Sequence, residues 1–212
     1  METRVKVMVV DYAAGGHFVP GGELDHSGFS LAGILGPGDD WVAGVRRAEP
    51  DIVMIDSPRV DETLLFKVKA VQAQAPVPIA LFSDDSGRDQ IFSAIDAGVN
   101  AFFAGSMGTN KLRHAADVAF AQFSTLSNLR QAAAKANAAL AERKVVERAK
   151  GIVMKSRGLD EDEAYTLMRR MAMSRNTRLI RLAETIIQAQ ELAAADIAAR
   201  REPDVAAQTA HG

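Results

Sequence analysis

Short runs of apolar, often β-branched residues recur along the first half of the chain. Residues 5–10, 29–35, 51–55, 78–82 and 100–104 share this character and predict five buried strands. Helix-length stretches separate them: residues 40–48, residues 61–74, where Leu64, Leu65, Val68 and Val71 stand at helical spacing, and residues 86–97. Such alternation predicts an α/β fold, a doubly wound parallel sheet covered on both faces. The first crossover breaks the rhythm. Residues 14–28 hold five glycines and Pro20, which oppose a stable helix, so a loop or a broken helix is expected there.

From Asn110 the pattern turns helical and stays so, with no proline and no glycine before Gly151. Leu126, Leu129, Ala133, Ala136 and Leu140 follow three-four spacing, the seam of a coiled coil that would pair two copies as a dimer. The alternative is that this stripe packs on the chain's own domain. Alanines along it allow close approach but bury little area, so the pairing is weak without a further interface. Gly158 is the expected helix stop. Asp160 then reads as the N-cap of a second helix, with Glu163 at capping-box spacing and Glu161 and Asp162 suited to the positive helix end. Ala164, Leu167, Met168, Met171 and Ala172 give that helix an apolar face. After residues 174–177 a third helix carries Leu179, Leu182, Ala183, Ile186 and Ile187. Three short helices so close in sequence predict a small all-α three-helix module. The chain thus divides into a sheet domain (1–122), a coiled-coil linker helix (123–139), a helical module (140–190) and an alanine-rich tail with Pro203 (191–212), read as a fraying helix and then disorder.

Composition narrows the function. The 212 residues include no cysteine, which excludes disulfides and thiolate metal sites. The first residues run straight into a strand pattern without the features of a secretory signal, and no apolar run approaches the roughly 20 residues of a membrane span. A cytoplasmic protein without a membrane partner is expected. The net charge of −2 conceals an asymmetry: residues 1–139 hold 12 Lys and Arg against 16 Asp and Glu, whereas residues 140–190 hold 11 against 7. An acidic front and a basic back imply different partners. His17, His26, His114 and His211 are scattered, no pair stands at metal-ligand spacing, and the glycines of AAGGHFVPGGE do not follow a nucleotide-loop fingerprint. No metal, no cofactor and no enzymatic activity are expected.

Three stretches, ERKVVERAKGIVM, GLDEDEAYTLMRRMAM and SRNTRLIRLAETII, strongly resemble the three helices of the ANTAR domain, the RNA-binding module of transcription antitermination regulators. The resemblance implies binding of a pair of short RNA hairpins in a leader transcript, in competition with an overlapping terminator. Arg143, Lys144, Arg148 and Lys150 are expected on exposed parts of the first helix. Arg175, Asn176, Arg178 and Arg181 cluster at the start of the third, where arginine can stack on a base and fork onto phosphate. The competing reading of each is a solvated face with local partners, Glu147 for Arg143 and Lys150 and Glu184 for Arg181. Tyr165, the only aromatic ring of the module, reads better as a partly buried helix position than as a base-stacking one.

Residues 4–125 resemble a response-regulator receiver domain, a flavodoxin-like sheet of phosphorelay signal transduction. In PDIVMID, Asp56 falls on that family's phosphoacceptor position. Asp11 falls on one of its two metal-binding acids and Ser83 on its switch hydroxyl. Two departures make it a degenerate, pseudo-receiver domain: Tyr12 replaces the second acid, and FFAGSM at the end of the fifth strand lacks the family's lysine. The whole chain looks most like the NasT type of nitrate-assimilation antiterminator, which implies a separate ligand-sensing protein partner that holds the regulator inactive. The alternatives are a phosphorylation-activated two-component regulator using Asp56, and a DNA-binding regulator. The DNA reading is disfavoured because no helix here follows a short turn with base-reading Gln, Asn and Ser.

Overall fold

A computed structural model gives the structure of the protein over residues 4–12, 28–105 and 107–201. Two compact units divide after Leu129, within the stretch expected as linker. The expectation for residues 14–28 concerns a stretch that, apart from Gly28, lies outside the described residues.

The first unit is a five-stranded sheet. β1 (Val5–Asp11), β2 (Phe29–Leu35), β3 (Ile52–Asp56), β4 (Ile79–Ser83) and β5 (Ala101–Ala104) run parallel in the order β2-β1-β3-β4-β5. This is the flavodoxin-like doubly wound order. Successive side chains on a strand point to opposite faces, and β3 and β4 are covered on both, so they are apolar up to their closing Asp56 and Ser83. Val7 and Val9 of β1 join Phe29, Ile52, Met54 and Phe82 in one core. Met8 and Val10 join Val53, Ile55 and Leu81 in the other.

Three helices line the second of these cores: α1 (Trp41–Ala48), α2 (Glu62–Gln74) and α3 (Arg88–Ala97). Asp40 caps α1 by accepting the Ala43 N–H at 3.0 Å, and Asp61 caps α2 by accepting that of Leu64 at 2.7 Å. α3 ends at Gly98, whose φ of 109° favours glycine. A Cβ there would lie 2.6 Å from the Cγ of Gln72, and the Gln72 amide donates to the Gly98 carbonyl at 2.9 Å. The first core is closed by Leu112, Ala115, Ala116 and Ala119 of α4, a helix of 49 residues (Thr109–Arg157).

The second unit takes in the later part of α4 together with α5 (Glu161–Ser174) and α6 (Leu179–Arg201). α4 stops at Gly158, with φ of 65°. At the start of α5, Asp160 accepts the Glu163 N–H at 2.8 Å and Glu163 returns the bond to the Asp160 N–H at 3.0 Å, a complete capping box. The α5–α6 turn uses Asn176 at φ 49°, a left-handed position that asparagine tolerates. Ala149, Val153, Ala164, Met168, Ala172, Leu182, Ala183 and Ile187 form the core of this unit. α6 runs to Arg201 through the alanine-rich stretch beyond Gln190, which meets no proline before Pro203.

Met168 is fully buried and carries the α5 face of this core. Met168→Ala is expected to cost about 2–5 kcal/mol, and Asp160→Ala about 1 kcal/mol through removal of the cap. Denaturant unfolding followed by helical circular dichroism checks the order; a larger loss for the cap variant would mean that this core does not carry the module.

Candidate nucleic-acid interface

The basic residues of the second unit fall into two groups once their partners are traced. Arg148 on α4 pairs with Glu191 at 2.8 Å, Arg178 with Glu142 at 3.1 Å, and Arg181 with Glu184 at 3.0 Å. These three are exposed, and exposed pairs hold only about 0.2–1 kcal/mol, so a phosphate can displace the carboxylate. Arg143, Lys144 and Arg175 are exposed and form no ion pair among the described residues. Asn176 is exposed beside Arg175 in the α5–α6 turn.

Lys150 corrects the expectation of an exposed cation. Its side chain is 9% exposed, and its ammonium lies 2.6 Å from a carboxylate oxygen of Glu147 and 2.6 Å from one of Glu161. Hydrogen bonding to Glu147 and then to Glu161 holds this ammonium above the usual lysine value, against the opposing effect of burial. Glu147 precedes it on α4, whereas Glu161 opens α5, so the ammonium bridges two helices. A groove of about 700 Å³ runs past it, lined by Glu142, Arg143, Val146, Tyr165 and Arg178 among others. Acids and bases on its walls largely compensate each other.

Tyr165 is 41% exposed, with the rest of its surface covered. α5 buries Ala164, Met168 and Ala172, which turns the next stripe, Tyr165, Arg169 and Met173, outward. Arg157, Arg169 and Arg170 are also exposed and without an ion pair among the described residues, although the basic clusters visible in the sequence do not include them. For Arg169 and Arg170, spacing against the buried stripe of α5 is the signal that points to them. Leu126, Leu129, Ala133, Ala136 and Leu140 are all exposed on α4 among the described residues.

In the first unit the carboxyl ends of the strands bring Asp11, Asp56 and Ser83 to one edge. Asp11 is opposite Asp56 in the β1–β3 register, and Ser83 closes the adjacent β4. Asp56 and Ser83 are buried, and the Ser83 hydroxyl accepts the Asp85 N–H at 3.2 Å. Next to Asp56, the Ser57 hydroxyl donates to the Arg59 carbonyl at 2.6 Å, tying down the turn that follows. Tyr12 occupies the place of the second acid. Its hydroxyl donates to the Asp61 carboxylate at 3.0 Å, and its ring meets Trp41 edge-on. Burial, reinforced by Asp61, raises the Tyr12 pKa above the ordinary tyrosine value. A neutral phenol committed to a helix cap supplies no anionic ligand, so the residues present do not fit the paired-acid cation site of a receiver. At the end of β5, the Lys111 ammonium donates to the Ala104 carbonyl at 3.3 Å.

Comparison with known proteins agrees with this division. The ANTAR domain profile matches residues 134–187. The transcriptional regulatory protein PdtaR of Mycobacterium tuberculosis is 28% identical over 165 residues, covering 78% of this chain and 80% of that protein. The nitrate regulatory protein of Klebsiella oxytoca is 37% identical over 54 residues, covering 26% of this chain and 14% of its own length. Among solved structures, the receiver domain of a LuxO repressor protein from Vibrio parahaemolyticus overlaps with a TM-score of 0.47 at 10% identity, covering 60% of this chain and 98% of that one. The fold assignment rests on the strand order. Both relatives named by sequence are regulators, and no helix among the described residues is long and apolar enough to cross a membrane. With a parallel sheet of flavodoxin-like order in front and a match to the ANTAR domain over residues 134–187, this chain is similar to response regulators that carry an ANTAR domain.

Proposed function

We propose that the protein is a cytoplasmic RNA-binding antitermination regulator that grips paired hairpins in a leader mRNA. The observation that carries this reading is the ANTAR match on the segment that bears Arg143, Lys144 and Arg175 exposed and unneutralised. Hairpin loops present splayed bases and phosphates to such a surface. Arg148, Arg178, Arg181 and Asn176 flank these residues and complete the proposed RNA-binding set. Lys150, expected in that set, instead supports it by tying α4 to α5. Two modules match two hairpins, and the exposed Leu126, Leu129 and Leu140 supply the seam on which two copies pair. A separate ligand-sensing protein gates the regulator, and the likeness to a nitrate regulatory protein favours nitrate or nitrite assimilation as its setting.

The edge that gathers Asp11, Asp56 and Ser83 motivates a second reading, in which Asp56 accepts a phosphoryl group. Against it stands the Tyr12 phenol where a carboxylate is needed, which removes charge stabilisation that phosphoryl transfer to a carboxylate requires; β5 itself carries no lysine, and the ammonium at its end is that of Lys111 on α4.

Three outcomes follow. Titrated against a leader RNA with two adjacent hexaloop hairpins, the protein prefers it to a loop-scrambled RNA and to duplex DNA. Replacing Arg143, Lys144 and Arg175 with alanine flattens the salt dependence by about 0.7 log units per log unit for each phosphate that is no longer neutralised; equal affinity for the three nucleic acids would sink the reading. In sedimentation, the RNA complex contains two protein chains per hairpin pair, and Leu126→Ser with Leu129→Ser reduces this to one. Acetyl phosphate with magnesium leaves the protein unlabelled, whereas label that disappears in Asp56→Ala would restore the phosphorylation reading.

A further inference from the structure

Two adjoining pockets open on the outward side of α5, the second of them sharing Tyr165 with the groove beside Lys150. One, of about 450 Å³, is lined by Arg157, Leu159, Glu163, Thr166, Leu167 and Arg170. The other, of about 320 Å³, lies among Tyr165, Thr166, Arg169, Arg170 and Met173. They share Thr166 and Arg170, so the two form one continuous surface.

Its chemistry is specific. Leu159 and Leu167 are half-buried and give the first pocket an apolar floor, beside the exposed guanidiniums of Arg157 and Arg170. Tyr165 and Met173, 41% and 74% exposed, offer an aromatic and a thioether surface at the second. Large apolar groups left in water beside arginines that lack carboxylate partners are characteristic of a partner with flat apolar faces and negative charge. Unstacked nucleotides have both. Their bases stack on aromatic rings and guanidinium planes, and their phosphates pair with arginine. Glu163 and Thr166 add base-edge selectivity. One Glu163 oxygen accepts the Asp160 N–H, and the carboxylate retains capacity to accept from an exocyclic amine, while the Thr166 hydroxyl can donate or accept. Duplex RNA keeps its bases stacked inside, so the fit is to a loop.

We infer that this α5 face is the base-reading subsite of the module: two successive unstacked bases of a hairpin loop lodge in the paired pockets, with Arg157, Arg169 and Arg170 on the flanking phosphates. The inference rests on the proposed RNA function and adds to it a division of labour. Arg143, Lys144 and Arg175 contribute charge, whereas Tyr165, Thr166 and Glu163 contribute sequence preference.

The test uses the full chain and the two-hairpin RNA, together with a version made abasic at two neighbouring loop positions. Tyr165→Ala is expected to weaken binding of the intact RNA roughly five- to hundredfold, the range for removal of one base–aromatic stack. Tyr165→Phe retains the affinity, because it keeps the ring. Arg169→Ala with Arg170→Ala lowers the salt slope by about 1.4, at 0.7 for each phosphate. On the abasic RNA, Tyr165→Ala produces little additional loss, because the partner of the ring is already gone. Thermal melting at the wild-type midpoint shows that each variant is folded, as its exposed positions lead one to expect. If wild-type protein prefers the hairpins while the Tyr165 and arginine variants bind as it does, or if the Tyr165 and abasic losses add in full, the subsite is overturned and the RNA function stands. If wild-type protein shows no hairpin preference, both are overturned together.

Discussion

Alanine stands at the points where the three helices of the second unit meet. Ala149, Ala164 and Ala183 are fully buried and Ala172 nearly so, with Met168 filling the space among them. Side chains this short let helix backbones come close and leave little freedom for a helix to roll about its axis. The rotational phase of α5 decides what the module presents to solvent. With Ala164, Met168 and Ala172 fixed inward, Tyr165, Arg169 and Met173 point outward, and Thr166 and Arg170 lie beyond them. The Lys150 ammonium adds an electrostatic stop to this steric one, because it bridges a carboxylate on α4 and another at the first residue of α5.

The same packing sorts the cations by role. The Lys150 side chain is 9% exposed, and its ammonium is held by two carboxylates at once, one on each helix. Lys150 is therefore held in structure. The exposed arginine pairs are different in kind: water screens them, each side chain keeps much of its freedom, and exchange of a carboxylate for a phosphate costs little. The ion pairs of Arg148, Arg178 and Arg181 in the isolated chain are thus compatible with contact to a polyanion, whereas the pairing of Lys150 is not. The acidic residues of the module have a matching logic. Glu161, Asp162 and Glu163 sit in the first turn of α5, where the helix end is positive, and leave the later turns to arginine.

Much of the architecture is legible in the residues because it rests on local rules. A strand buried on both faces must be apolar throughout, as residues 51–55 and 78–82 are, and an Asp followed three residues later by a Glu at the head of an apolar helix caps it, as Asp160 and Glu163 do. Gly158 and Gly98 terminate helices for the reason their identity suggests, a positive φ. What is not legible depends on how separate elements meet. Lys150 falls between Val146 and Val153 at helical spacing, but the carboxylate that Glu161 brings to its ammonium comes from another helix. Tyr165 lies one position from the buried stripe, where spacing alone does not decide which side a ring takes. The unpaired state of Arg157, Arg169 and Arg170 is likewise a statement about where the carboxylates went, which no local pattern records.

The composition of the seam bears on how the proposed regulator is controlled. Leu126, Leu129 and Leu140 supply its large side chains, and Ala133 and Ala136 lie between them. At about 25 cal/mol for each Å² of apolar surface removed from water, an alanine pair contributes far less than a leucine pair. Two copies joined by such a stripe gain modestly from it, against the loss of translational and rotational freedom on association. A second hairpin on the same transcript changes the balance without any new protein surface. Once one module has bound, the second site is presented at the effective concentration set by the RNA spacer, and the weak seam is sufficient to complete the pair. Under the proposed function, weak self-association is thus what makes binding selective: a seam too weak to pair free copies favours paired over single hairpins, and a partner protein needs to withhold only one copy.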